Sequence, residues 1–439
     1  MANENGKKWR TLPRAVHARR LWLTPGLGIK RWLLLLGVGS AMLGMGVVYG
    51  IIFLRRVGLL PSSTLYQLLT LQWLPTWVAM LAPLLVGGGL IVLSLARLGR
   101  NILAPFRDEY PEVGVAQTLY DHQRRGRGPR IVAIGGGTGL SALLRGLKAY
   151  TNNITAIVTV ADDGGSSGRL REELGILPPG DFRNNIAALA RDEALMTQLL
   201  QYRFGEGQTG ERSMLRGHAF GNLLLAALVG LTGSFEEALR SAQRVLAIRG
   251  RVLPSTLDPV TLMAEMNTAV GRKIVSGESA IPKTEGNIER VFLDPAEARA
   301  YPEAIRAIFQ ADLIVLGPGS LFTSILPNLL VSDLAAALES ATAQKVYVCN
   351  VATQAGETDG FDVAAHVAVL HQHVSPYCVD LVLANSNVGV RLAPDDSQTV
   401  FVRPTAVAGV AMVLVDLVDE TRPWRHDSDK LAAELIRLL

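Results

Sequence analysis

Residues 130–141 read Arg-Ile-Val-Ala-Ile-Gly-Gly-Gly-Thr-Gly-Leu-Ser, an apolar run that breaks into glycines and resumes with helical spacing. Strand, tight turn, helix is the expectation, which limits the chain to folds where a strand end delivers bare backbone to a helix start. Gly136, Gly137 and Gly139 let the main chain approach a ligand with no side chain in the way, and Thr138 adds a hydroxyl. The amides of a helix opening at about Ser141 have no intrahelical acceptor and favour an anion. Gly137, Gly139 and Ala142 fit the G-x-G-x-x-A spacing of a dinucleotide-binding turn, with Asp162 roughly 20 residues on, at the end of the next expected strand. No Gly-Lys-Ser/Thr closes the turn, so a P-loop is excluded. The alternative is a plain βα turn that uses glycine for geometry alone, and the polar loops further along the chain weigh against it.

From about residue 129 onward, strand-like and helix-like blocks alternate. Candidate strands are 130–134, 154–160, 312–316, 345–349 and 379–384, with helical patterns at 141–150, 222–231, 235–246, 333–342 and 362–371. Such alternation predicts an α/β fold, a three-layer domain with a mostly parallel sheet covered on both faces, whose ligands bind at the carboxyl ends of the strands.

The polar, glycine-bearing loops fall at those ends. Residues 161–169 read Ala-Asp-Asp-Gly-Gly-Ser-Ser-Gly-Arg. Gly164 and its neighbours offer main-chain N–H groups, Ser166 and Ser167 offer hydroxyls, Arg169 can fork onto phosphoryl oxygens, and Asp162 or Asp163 can hold Mg²⁺ or a ribose hydroxyl. A third cluster holds Asp181, Arg183 and Asn184; Asp181 alone could be a helix N-cap. His218 and Asn222 precede an apolar helix, His218 being a candidate general acid or base, or else a local hydrogen-bonding residue. After the strand at 312–316 come Gly317, Gly319, Ser320 and Thr323, a second glycine turn placed like the first, and Asn350 and Thr353 follow the strand at 345–349. Four strand ends with four polar loops outline a nucleotide-sized crevice.

Upstream, the chain is of another kind. Residues 32–54 and 74–96 carry no Asp, Glu, Lys or Arg, long enough for two helices to cross about 30 Å of hydrocarbon. Basic residues crowd before the first run and after the second, while Arg55 and Arg56 lie between, which predicts two transmembrane helices with both termini in the cytoplasm. The expected organisation is a basic N-terminus and membrane hairpin over 1–100, a charged linker over 101–128 and a nucleotide-binding domain over 129–439. That crowding also explains the net charge of +4 without nucleic-acid binding. Cys349 and Cys378 are too few for a disulfide framework and lack metal-type spacing.

Together the motifs at 135–141, 161–171, 177–181 (Leu-Pro-Pro-Gly-Asp), 317–324 (Gly-Pro-Gly-Ser-Leu-Phe-Thr-Ser) and 356–360 (Gly-Glu-Thr-Asp-Gly) resemble the YvcK/CofD-like family over about residues 130–420. The resemblance implies a Rossmann-like domain, binding of a nucleotide-sugar such as UDP-N-acetylglucosamine, and a role in carbon metabolism and cell-envelope morphogenesis. Its more distant branch, the 2-phospho-L-lactate transferases, uses Mg²⁺, and by that resemblance Asp162 and Asp163 correspond to the transferase's acidic pair. Phe182 departs from the family's usual Asp-Ile-Arg-Asn, and the membrane hairpin is absent from its commoner soluble members. Two readings remain: a regulatory nucleotide-sugar binder at the inner face of the membrane, and a Mg²⁺-dependent transferase with Asp162, Asp163 and His218 as catalytic candidates. An NAD-dependent oxidoreductase is disfavoured by the doubled phosphate loops. A homo-oligomer or a protein partner is compatible with either.

Overall fold

The computed structural model describes residues 124–439 except 206–214 and 390–399, together with isolated positions between Gly37 and Pro75. The chain divides into two compact units, Met1–Arg124 and Arg125–Leu439. Apart from those isolated positions, the two expected membrane helices lie outside the described residues. Among the described residues no single helix is long and apolar enough to cross a membrane.

The second unit is built on a seven-stranded sheet. Its first half runs β1 (Ile131–Gly135), α1 (Gly137–Leu147), β2 (Ile154–Val158), then helices α2 (Gly165–Leu174), α3 (Gly180–Leu189), α4 (Glu193–Gln201), α5 (Phe220–Thr232) and α6 (Phe235–Val245), and β3 (Arg251–Pro254). An antiparallel excursion follows, β4 (Thr261–Thr268), β5 (Gly271–Ser276) and β6 (Asn287–Asp294), in the order β5-β4-β6. The second half comprises α7 (Pro302–Gln310), β7 (Leu313–Leu316), a π turn at Leu321–Ile325 leading into α8 (Leu326–Leu329), α9 (Ser332–Ser340), β8 (Gln344–Val348), α10 (Val363–His373), β9 (Leu381–Asn385) and β10 (Ala411–Val415). A two-stranded ribbon, β11 (Val418–Asp419) and β12 (Arg422–His426), and α11 (Ser428–Arg437) close the chain.

The sheet order is β3-β2-β1-β7-β8-β9-β10, and every pairing in it is parallel. This is the Rossmann-like three-layer α/β arrangement the alternation predicts. β1, β2 and β7 are buried along their full length, which is why they read as continuous apolar runs. The chain leaves β1 toward β3, returns to pair β7 against β1, and then builds outward the other way. That reversal places the switch point, where a ligand crevice is expected, between the carboxyl ends of β1 and β7.

The helix α1 that receives the first glycine turn is held hard against the core. Leu140, Leu143, Leu144 and Leu147 are all fully buried, each contributing about 1.5–3 kcal/mol relative to exposure. Its other side packs on α11, and Gly146 permits this, because a Cβ there would lie 2.0 Å from the Ser428 carbonyl oxygen and 2.7 Å from the Ala432 Cβ. Gly146→Val should therefore destabilise the domain by about 1–3 kcal/mol or more through overpacking. A urea midpoint equal to that of the parent would show that α1 and α11 separate freely.

Candidate functional site

A cavity of about 530 Å³ opens at the switch point, within the usual range for small-ligand sites. Residues 136–139 line it from the turn after β1, Pro318, Gly319, Ser320 and Ser324 from the turn after β7, and residues 350–355 from the loop after β8. Glu278, from the antiparallel excursion, and Trp424, Arg425 and His426, on β12, complete the wall.

Helix α1 begins at Gly137, earlier than the spacing predicts. Gly137 has φ +63, which favours glycine. Its N–H donates to Asp181 Oδ2 at 2.8 Å. A Cβ on Gly136 would sit 2.4 Å from that same oxygen, and one on Gly139 would sit 2.6 Å from the Pro318 carbonyl oxygen. Two of the three glycines are thus required by the protein's own packing. Around Gly137 there is more room, the nearest atom to a Cβ being Ser324 Oγ at 3.6 Å. Valine at 137 would nonetheless be strained by the backbone, so lost binding in Gly137→Val would not isolate a ligand contact.

Asp181 lies in the first turn of α3, where Pro179 is the N-cap. Its carboxyl instead reaches across to α1. Burial, and then Asp162, push its pKa up to about 7, against the Gly137 N–H and Arg183.

The second glycine turn is also held by a carboxylate. Buried Glu357 accepts from Ser320 Oγ at 3.0 Å and Thr323 Oγ1 at 3.1 Å. The Phe322 and Thr323 amides bond to it as well, and burial raises its pKa against all four donors. The start of this helical turn, expected to receive a ligand's anion, already holds one. Asn350 clasps the loop by donating from Nδ2 to the Gly319 carbonyl at 2.9 Å while its Oδ1 accepts the Gly319 N–H at 3.3 Å. Thr353 is turned to Val400, whose N–H donates to Thr353 Oγ1 at 3.1 Å.

The loop after β2 does not line the cavity. Asp162 Oδ1 accepts from the Gly164 N–H at 2.9 Å, and burial raises its pKa against the Gly164 and Ser167 bonds. Asp163 Oδ1 accepts from the Ser279 N–H at 2.8 Å, fixing the loop that carries Glu278. Each carboxylate accepts from a different backbone amide through its Oδ1. Among the described residues no group of three His, Cys, Asp or Glu side chains is arranged to hold a metal.

Behind this loop α2, α3 and α5 share a buried network. Ser166 Oγ lies 3.1 Å from His218 Nδ1 and accepts from Asn222 Nδ2 at 3.0 Å. Arg183 donates to Asn222 Oδ1 at 3.1 Å and to Asn184 Oδ1 at 3.0 Å. Arg169 donates to the Arg216 carbonyl at 3.1 Å. Burial and then the Arg169 charge lower the His218 pKa, which favours a neutral ring near neutral pH. Two groups stand out among the residues named from sequence. Gly136, Gly137, Thr138, Gly139, Gly319, Ser320, Asn350 and Thr353 line the cavity, whereas Ser166, Ser167, Arg183, Asn184, His218 and Asn222 fasten three helices beside it.

Sequence reasoning missed Glu278, Trp424, Arg425 and His426. Glu278 follows a hairpin whose strands went unread, and its pKa is pushed up to about 8, chiefly by burial and then by Asp162, Asp181, Asp163 and Glu357. Arg425 is exposed and carries no hydrogen bond or ion pair to another described residue. His426 is buried with Nε2 against the Cys349 carbonyl oxygen at 3.1 Å, and burial lowers its pKa to about 4.

The family described as 2-phospho-L-lactate transferase CofD matches residues 131–434. The chain belongs to the CofD family. Within it, the gluconeogenesis factor of Bacillus subtilis is 46% identical over 326 residues, covering 72% of this chain and 99% of its own. A relative from Nostoc sp. is 45% identical over 447 residues, covering 95% of this chain and 91% of its own. The crystal structure of a member of the upf0052 family from Bacillus halodurans, 42% identical, superposes with a TM-score of 0.65 and covers 71% of this chain and 99% of that one. A CofD-family chain of about the α/β domain's span therefore folds on its own.

Asp181 makes the site's electrostatics measurable. A carboxyl whose pKa rises on folding binds more protons folded than unfolded, so stability is greatest below its ordinary value of 3.8 and falls as pH climbs toward about 7. Asp181→Asn keeps an acceptor for Gly137 and removes this dependence, while Glu278 titrates in both proteins. From pH 5 to pH 8 the stability of the variant relative to its parent should rise by about 1–3 kcal/mol, each tenfold change in acidity corresponding to about 1.4 kcal/mol. Parallel urea-unfolding curves at the two pH values would show that the group is solvated.

Proposed function

We propose that the cavity between the β1 and β7 turns binds a nucleotide-sugar such as UDP-N-acetylglucosamine, and that the protein is a regulatory binder linking carbon metabolism to cell-envelope morphogenesis and cell shape. The observation that carries this reading is the composition of the cavity wall. Thr138 and Gly139 present first-turn amides of α1, and Arg425 brings a guanidinium with no protein partner among the described residues, a pairing suited to a diphosphate. His218 faces Ser166, and the Asp162 and Asp163 carboxylates each hold a backbone amide through Oδ1.

The second reading is a Mg²⁺-dependent transferase similar to 2-phospho-L-lactate transferase. The family's description favours it, as does the proximity of Glu278 to Asp162 and Asp181. Mg²⁺ is commonly held by one or two carboxylates together with substrate phosphates, and the amide bonds of Asp162 and Asp163 fall on their Oδ1 atoms.

Incubating residues 125–439 with UDP-N-acetylglucosamine and Mg²⁺ should return the ligand chemically intact, and binding by calorimetry should be largely independent of Mg²⁺. Arg425→Ala should weaken that binding by about tenfold or more, a hydrogen bond to a charged group contributing about 1.5–3 kcal/mol. Stoichiometric release of UDP or UMP, lost in Asp162→Asn or Asp163→Asn, would establish the transferase instead.

We also propose that residues 1–100 anchor the protein in the cytoplasmic membrane through the uncharged runs at 32–54 and 74–96, with the α/β domain in the cytoplasm. Alkaline carbonate should leave the full-length chain in the membrane pellet and release residues 125–439 expressed alone; release of the full-length chain would refute the anchor.

A further inference from the structure

We propose that Trp424 is the surface on which the base of the bound nucleotide stacks, an inference that rests on the nucleotide-sugar reading above. Apart from the imidazole of His426, it is the one aromatic side chain among the described residues lining the cavity. The residue is 41% exposed, and among the described residues its ring meets no other aromatic ring, cation or hydrogen-bond partner. An indole left this open forgoes apolar burial that a flat ligand would restore.

The backbone around it is fixed. Pro423 and His426 are buried on either side, and the His426 contact with the Cys349 carbonyl at 3.1 Å ties the end of β12 to the end of β8. The ring is therefore presented from a held strand, which limits the ordering cost of binding. The other groups in the wall have other roles. The α1 amides and Arg425 match phosphates, whereas the polar side chains of the loop at 350–355 are already bonded to protein partners. Only Trp424 supplies an extended apolar face of the kind a nucleobase seeks, and stacking of this sort accepts any base because every base has a π face.

Trp424 is also the sole tryptophan between residues 125 and 439, so the emission of that domain reports on this position alone. The domain would be titrated separately with UDP, N-acetylglucosamine 1-phosphate and pyrophosphate, following both fluorescence and calorimetric binding. We expect UDP to quench the emission and pyrophosphate to bind without doing so. Trp424→Ala should weaken UDP by about tenfold or more and leave pyrophosphate unchanged, and Trp424→Phe should recover most of the loss. The proposal fails if UDP binds with unaltered emission and Trp424→Ala binds it as the parent does. It fails equally if the sugar phosphate, and not UDP, quenches, because the indole would then face the sugar. If calorimetry shows neither UDP nor pyrophosphate binding, the nucleotide reading falls, and this inference with it.

Discussion

Backbone lies directly against backbone where the first glycine turn meets the Gly-Pro-Gly turn after β7, and the cavity depends on that approach. Any side chain at Gly139 would collide with Pro318 and Gly319. Asn328 reinforces the junction from beneath, donating to the Gly135 carbonyl at 3.1 Å and to the Ser324 carbonyl at 2.8 Å. Parallel pairing of β1 with β7 brings the two turns level, and the absence of side chains lets them close. The loop after β8 is then drawn onto the same junction by Asn350, whose amide satisfies both polar groups of Gly319.

This closeness has an electrostatic consequence. Two helical starts aimed at one crevice gather unpaired N–H groups, and the fold answers them with its own carboxylates, Asp181 at α1 and Glu357 at the π turn. Taking those carboxylates out of water costs several kcal/mol each while they remain charged, and their pKa values rise accordingly. Glu278 joins them at about 8. Asp181 and Glu278 therefore hold part of their protons near neutrality, which lowers the repulsion an incoming phosphate would meet. The guanidinium of Arg425 supplies positive charge on the same wall.

Much of this was legible in the sequence, and the failures have physical reasons. The apolar runs of β1, β2, β7 and β9 are buried along their full length, and β8 is buried after Gln344, so they stand out. β3 is four residues long and ends in Pro254, so it does not advertise a core strand, whereas β10, at the sheet edge, is an unbroken apolar run, Ala-Met-Val-Leu-Val, that went unread. α2 and α3 open on Gly165 and Gly180, which read as loop. The glycine turns announced the cavity, but which donors they would spend internally depended on carboxylates far away in the chain. Asp181 is 44 residues from Gly137, a separation that no local pattern reveals. Trp424 and Arg425 lie on a ribbon strand without glycine punctuation, and their relation to β8 exists only after folding.

The polar motifs of residues 161–185 look like a catalytic loop, yet most of their hydrogen-bonding capacity goes to joining α2, α3 and α5. Ser166 alone contacts both His218 and Asn222, and Arg183 reaches the same asparagine. A buried network of this kind specifies one arrangement of helices, since each partner left unpaired would cost about 1–3 kcal/mol. Asp162 and Asp163 stand where that network meets the loop bearing Glu278, and a change of their partners would be felt on both sides. A transferase and a binding protein can therefore share these motifs, because the same residues that could meet a metal also set the position of the cavity's acidic wall. What separates the two activities is which oxygen atoms of the pair are free when the phosphate arrives, a property of the site and not of the fold.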